Sequence, residues 1–243
     1  MRSSNLTSLV LPVTVLACLL SVFSPSAAAQ TALPLDSLAG LDVRNASAEP
    51  VTYQGKTGIK VVPTAEPPSG PPARGQRRQP PPRPLVLIKG VEFGNGTIEV
   101  ELAGLPRKGV SRGARGFVGV AFRMQPDLHT YDCFYLRPTN GRADDQLRRN
   151  HSAQYISHPE YTWRKFRTET PGKYEAYVDL VPGEWTKVKI VVNGEKARLY
   201  VHGNTQPKLI VNDLKSGPSA KGAVALWLEA STEAYFRNLK ITQ

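Results

Sequence analysis

Cysteine is scarce in this sequence of 243 residues: Cys18 and Cys133 are the two. If Cys18 leaves with the N-terminal segment described below, Cys133 has no partner for an intramolecular disulfide. It reads as a packed thiol within a strand, flanked by Asp132 and Phe134, with no histidine spaced as a nucleophile partner. The four histidines, His129, His151, His158 and His202, make neither H-x-H nor H-E-x-x-H, which argues against a zinc site. Helical periodicity is missing over any run of twelve residues, with Asp144 to Gln154 the nearest approach, so a helical bundle is excluded. Gly55-Lys56-Thr57 imitates the end of a phosphate loop, but Pro50 stands where the first glycine belongs.

Beyond the N-terminus no apolar run is long enough to span a bilayer as a helix. The N-terminus itself, MRSSNLTSLVLPVTVLACLLSVFSPSAAAQ, has one arginine, an apolar run from Leu9 to Phe23 and a small-residue end at Ala27-Ala28-Ala29. That order is a secretory signal peptide over residues 1–29, and it predicts a periplasmic or secreted protein. Residues 30–243 then remain as a single domain.

Basic residues outnumber acidic ones, for a formal charge of +11. The excess favours an anionic partner. It does not favour nucleic acid, because the basic residues are dispersed and no nucleic-acid module is recognisable. Part of the excess is local. Residues 63–84, PTAEPPSGPPARGQRRQPPPRP, hold nine prolines together with Arg74, Arg77, Arg78 and Arg83, and read as an extended solvated insertion between strands of one domain.

What is abundant is period-two patterning. GTIEVELAG sets Ile98, Val100 and Leu102 on one face and Thr97, Glu99 and Glu101 on the other, and FVGVAFRM, FYLRP, WTKVKIVV, ARLYV, AVALWL and FRNLKIT alternate likewise. Turn signals fall between them at Gly94-Asn95-Gly96, Asn140-Gly141, Pro182-Gly183, Asn193-Gly194 and Gly203-Asn204. Asn193-Gly194 is the dipeptide of a two-residue type I′ hairpin. The fold class is all-β: a sandwich of about a dozen antiparallel strands.

The succession EFGNGTIEVEL, GFVGVAFRM, YDCFYLRPTNGRADDQLRRNHSAQY, PGEWTKVKIVV, ARLYV, LIVNDLK and GAVALW, ending in AYFRNLKIT, resembles the concanavalin A-like lectin and glucanase superfamily. It is most similar to bacterial exported proteins that are laminin G-like or carry the domain assigned to 3-keto-disaccharide hydrolases. The resemblance spans roughly Leu41 to Gln243. It implies a jelly roll of two antiparallel sheets and a carbohydrate ligand, without choosing between binding and catalysis.

Three functional readings follow. The first is an exported lectin-like domain for anionic or plant/cell-wall-type polysaccharide. Pairing of the strands around Val120 and Phe134 is expected to place Arg123, Tyr135 and Arg137 on one polar face, with Val118, Val120, Phe122 and Met124 on the other. The polar loop after them contributes Asn140, Arg142, Asp144, Asp145, Arg148, Asn150 and Gln154, followed by Tyr155 and Trp163. Guanidinium, amide and carboxylate groups suit sugar hydroxyls and uronates, and aromatic faces suit sugar C–H groups. Asp144, Asp145 and Asn150 also offer oxygen ligands for calcium, although their spacing matches no calcium motif. The second reading is a glycan hydrolase. Glu99 and Glu101 share a strand face about 7 Å apart at about 3.4 Å rise per residue, a separation open to paired acid–base work. The third carboxylate of the laminarinase pattern is replaced by Gly104. The third reading is a structural or adhesive envelope protein.

Overall fold

The protein's structure, a computed structural model, describes residues 29–65, 83–111 and 113–243. The signal-peptide expectation, up to residue 28, and residues 66–82 of the proline-rich stretch lie outside the described residues. In chain order the strands are β1 (Gln30–Leu33), β2 (Leu41–Arg44), β3 (Ala46–Tyr53), β4 (Lys56–Pro63), β5 (Leu85–Ile88), β6 (Gly96–Pro106), β7 (Val118–Met124) and β8 (Tyr131–Leu136). After a 3-10 turn at Pro138–Asn140 come α1 (Gln146–Asn150), β9 (Ala153–His158), α2 (Trp163–Glu169), β10 (Glu175–Ala176), β11 (Thr186–Asn193), β12 (Lys196–Val201), β13 (Leu209–Val211), β14 (Ala223–Leu228) and β15 (Thr232–Thr242).

These strands form two antiparallel sheets. One runs β13-β12-β11-β6-β15-β4-β3, with β1 added beside β15, and the other runs β10-β9-β8-β7-β14-β5-β2. The chain passes repeatedly from one sheet to the other, as in a jelly-roll sandwich. Alternation supplies the interior: Ile98, Val100 and Leu102 of β6 meet Val118, Val120 and Phe122 of β7, Phe134 and Leu136 of β8, and Val224, Leu226 and Leu228 of β14.

The seven-stranded sheet is unusual in being apolar on its outer face too. Leu85, Ala121, Met124, Tyr131, Cys133, Tyr135, Ile156, Ala225 and Trp227 make a second buried cluster there. β7, β8 and β14 are therefore buried on both faces; β14 reads as a continuous apolar run, and β7 and β8 are interrupted by the buried Arg123 and Asp132. Cys133 is a packed, free thiol in that cluster, as its surroundings in sequence suggested.

Two local expectations are corrected. Met124 does not continue the inward face of Val118, Val120 and Phe122. Against β14, three residues (Ala223 to Ala225) face four on β7 (Ala121 to Met124), and Arg123 sits at φ 53°. This bulge turns Met124 to the outer face. At the β11–β12 hairpin, Asn193 pairs with Lys196, so the two loop residues are Gly194 and Glu195. Glycine at the first central position, with φ 57°, matches a type II′ turn rather than type I′. Asp144 to Gln154, the nearest approach to helical periodicity, holds one helical turn, α1, before β9.

A carboxylate ties the segment before β10 to the loop after β13. Asp213 accepts hydrogen bonds from Lys173 Nζ at 2.8 Å, Lys215 Nζ at 2.9 Å and the Tyr174 hydroxyl at 2.7 Å. Burial opposes its ionisation, but these donors outweigh it and hold the carboxyl at about 2. Because the folded value lies below the ordinary one of 3.8, this stabilisation is complete above that pH and is lost as pH falls toward 2. Asp213→Asn is expected to flatten the fall of melting temperature between those two pH values, which a calorimetric pH series would read.

Candidate functional site

The outer face of the seven-stranded sheet carries a cleft of about 870 Å³. Its construction follows from one cross-strand row. Trp227 of β14 lies opposite Gly119 of β7, Gly119 opposite Tyr135 of β8, Tyr135 opposite Gln154 of β9, and Gln154 opposite Glu175 of β10. Gly119 has no side chain to separate its neighbours. The Trp227 and Tyr135 rings therefore lean together over it, with centroids 4.9 Å apart. A row of small residues, Ala225, Ala121 and Cys133, runs alongside toward Ile156 and keeps the surface low.

Around this floor the cleft is walled by Arg83, His158, Trp163, Arg164, Glu229 and Ser231. Tyr135 and Trp227 are only 2% and 5% exposed, whereas Trp163 at the start of α2 is 40% exposed. Arg164 and Arg167 lie 5.3 and 4.9 Å from the Trp163 ring centroid and brace its orientation. Arg83 is anchored by its carbonyl, which accepts from Asn45 Nδ2 at 3.0 Å, and by its guanidinium, which donates to the Tyr131 hydroxyl at 2.7 Å. Among the described residues neither Arg83 nor Arg164 has a carboxylate partner. Glu229 is engaged by Ser231, whose amide donates to Oε2 at 2.9 Å and whose hydroxyl also donates there. The described wall thus has unpaired positive charge and a hydrogen-bonded carboxylate.

Behind the floor lies a buried polar network. Arg137 donates to the Tyr135 hydroxyl at 2.7 Å, Gln154 Oε1 at 2.8 Å, the His151 carbonyl at 2.8 Å and Glu175 Oε1 at 3.4 Å. Arg167 grips the same carboxylate at 2.6 and 2.9 Å, and His151 Nε2 stands 3.3 Å from its other oxygen. Tyr135 is thereby clamped at its hydroxyl, and burial pushes that hydroxyl far above its ordinary range.

Of the residues expected to form a polysaccharide site, Tyr135 and Trp163 line the cleft. Arg137 and Gln154 brace Tyr135 from behind. Arg123 does not share their face: displaced by the bulge, it donates to the carbonyls of Gly94, Gly194 and Gly217, to Ser216 Oγ and to Asn95 Oδ1, tying three loops at one end of the sandwich. Tyr155 faces the interior, where its hydroxyl donates to buried Asp132 at 2.7 Å. Asn140 is buried and donates to the His151 carbonyl. Arg142 pairs with Asp179 at 2.8 Å on the surface, and Arg148 reaches the Thr139 carbonyl. Asp145 caps α1 through the Arg148 amide, Asn150 accepts from Gln146, and Asp144 is exposed. The polar loop is thus built largely as a scaffold. For calcium, no group of three or more His, Cys, Asp or Glu side chains converges as a metal site among the described residues.

Glu99 and Glu101 lie on the outer face of the other sheet, across the sandwich from the cleft. They are flanked in register by Lys187 and Lys189 on one side and by Arg237 and Lys240 on the other. For Glu101, burial favours the neutral acid, but a hydrogen bond from Asn238 and the charges of Arg237 and Lys56 outweigh it, so the carboxyl is held below its ordinary range. Glu101 is thus paired with Lys56 at 3.5 Å and Arg237 at 3.8 Å and held as the carboxylate, which does not suit it to donate a proton. Trp227, Arg83, His158 and Arg164 escaped sequence reasoning. Trp227 carried a weak signal, since alternation in AVALWL sets it with Ala225 on a shared face.

A family model described as the 3-keto-alpha-glucoside-1,2-lyase-like domain matches residues 75–242. A comparison with curated protein sequences found no match. Among solved structures, a carbohydrate-binding module from Bacillus subtilis superposes with a TM-score of 0.51 at 12% identity, over 83% of this chain and 95% of that one. A protein of unknown function with a galectin-like fold, also from Bacillus subtilis, gives 0.52 at 11% identity, over 90% and 97%. These likenesses confirm a jelly-roll sandwich of the concanavalin A-like type.

Proposed function

The chain belongs to the 3-keto-alpha-glucoside-1,2-lyase-like domain family, and from that premise we propose that it is an exported protein that binds carbohydrate, preferentially anionic, in the cleft on its seven-stranded sheet. The observation that carries the reading is the cleft's composition: an exposed tryptophan, Trp163, with two guanidiniums, Arg83 and Arg164, that have no carboxylate partner among the described residues. A sugar ring presents C–H groups to the indole, and a uronate or sulfate presents a planar or tetrahedral anion to the guanidiniums. The family's description, which names a glucoside, and the carbohydrate-binding module on the same fold support this ligand class. Export is supported by the N-terminal charge, apolar run and Ala27-Ala28-Ala29 end.

The test is a glycan array and polysaccharide pull-down with the full chain, with and without EDTA, beside Trp163→Ala. Trp163 is exposed, so its removal is expected to leave stability within about 0.5 kcal/mol. Affinity is expected to fall by about 30-fold, the scale of a binding hot spot of about 2 kcal/mol. EDTA is expected to change nothing. A wild-type chain that retains no glycan, neutral or acidic, would sink the reading.

A further inference from the structure

The cleft does not end at His158. A second pocket of about 440 Å³ opens on the far side of that ring, beside Arg123 at the end of the sandwich, and His158 lines both. The ridge between them is built from three side chains. Arg83, on the cleft side, sets its two terminal guanidinium nitrogens 3.2 and 3.3 Å from the two imidazole nitrogens of His158. It also donates to the hydroxyl of Tyr131, which lines the second pocket, and Tyr131 accepts in turn from Trp227 Nε1 of the cleft at 3.2 Å. Burial and the charges of Arg83 and His129 push His158 down to about 4, so at neutral pH the ridge carries the charge of Arg83 alone.

The register of β8 gives the span. Tyr135, in the cleft, and Tyr131, in the second pocket, share its outer face four residues apart, about 14 Å at about 3.4 Å per residue. On β9 the same step runs from Gln154 to His158. Both cavities fall within the roughly 300–1,000 Å³ of ligand pockets.

The chemistry of the second pocket suits the same kind of ligand. The carboxylate in its described lining, Glu160, is paired with Lys165 at 2.6 Å. Lys215 is neutralised by Asp213 at 2.9 Å, and Arg123 spends its guanidinium on the loops around it. Lys221 differs from both. Gln125 Nε2 donates to its carbonyl at 2.8 Å and fixes its backbone, while its exposed ammonium has no carboxylate partner among the described residues. We infer that the cleft and this pocket form one groove for an extended anionic polysaccharide chain, with one unit at Trp163 and Arg164, the chain crossing Arg83, and a further acidic unit at Lys221. This rests on the carbohydrate reading above. Once the first unit is seated, the later ones bind at the high effective concentration that the chain itself imposes, a gain closed to a sugar that fills the cleft alone.

The test is calorimetric titration of the full chain with oligouronides of two, four and six units, and with neutral oligoglucosides of the same lengths. Uronide affinity is expected to rise by at least about tenfold from two units to six. Lys221→Ala should lower six-unit affinity by about tenfold, the scale of a lost charge-assisted hydrogen bond, and leave two-unit affinity within about twofold. Lys221 is exposed, so its truncation is expected to leave the fold intact. Trp163→Ala should instead weaken every length alike. A six-unit uronide that binds no better than a two-unit one, or a rise that Lys221→Ala leaves unchanged, overturns the groove and leaves binding in the cleft standing. A rise as steep in the neutral series overturns the acidic unit at Lys221. A chain that retains no glycan on the array described above fails the carbohydrate reading itself, and the groove with it.

Discussion

Glu175→Ala is expected to destabilise the protein by about 3–5 kcal/mol, the cost of removing one member of a buried ion pair and leaving the other charged. Arg137 and Glu175 have side chains only 5% and 3% exposed, and Glu175 also answers Arg167 and His151. Without it, Arg137 keeps its bonds to Tyr135, Gln154 and the His151 carbonyl but has no opposing charge in a site closed to water. At about 2–4 °C per kcal/mol for a chain of this size, melting should fall by roughly 6–20 °C. Arg142→Ala is the control. Its pair with Asp179 has side chains 64% and 52% exposed, and its loss should leave the melting temperature nearly unchanged. Equal effects from the two variants would mean that the network behind Tyr135 is not the ion cluster described.

The two substitutions also show why composition misjudged the polar loop. Arg137 and Arg142 look alike in sequence, five residues apart in the same charged stretch. One is buried by strand β8 and paired across β9 to β10, and the other meets solvent. Period two correctly placed Ile98, Val100 and Leu102 on β6, and Phe134 and Leu136 on β8, in the interior, because each strand buries that face. It could not label the outer face of β14, where Ala223 to Leu228 is apolar throughout and nothing in the alternation separates core from cleft. A single extra residue on β7 moved Arg123 out of the site, and no propensity in FVGVAFRM announces a bulge. Arg83 was hidden for another reason. It sits in a stretch whose prolines forbid regular structure, and contacts distant in sequence, with Asn45, Tyr131 and His158, give it a place. His158 likewise matched no motif, because its partner is that same distant arginine.

Gly119 is where fold and site depend on one position, and Gly119→Val is expected to damage both. A Cβ there would lie 2.2 Å from the Phe134 carbonyl oxygen and 2.6 Å from Tyr135 Cα, so β7 and β8 would have to part. Overpacking of this kind costs about 1–3 kcal/mol, or roughly 2–12 °C of melting temperature. The loss of binding should exceed what stability explains. Strands spaced about 4.8 Å apart place the backbones of Trp227 and Tyr135 nearly 10 Å from each other, and their rings meet at 4.9 Å only because nothing rises between them. A valine would divide the rings and lift the floor toward Trp163. At a temperature where the variant remains folded, glycan affinity should fall at least tenfold, about 1.4 kcal/mol, by calorimetric titration. Gly119→Ala should fall between wild type and valine in both measurements. A folded Gly119→Val chain that binds glycan as wild type does would show that the aromatic floor holds the sheet together without touching ligand, leaving Trp163 and the arginines to do the binding.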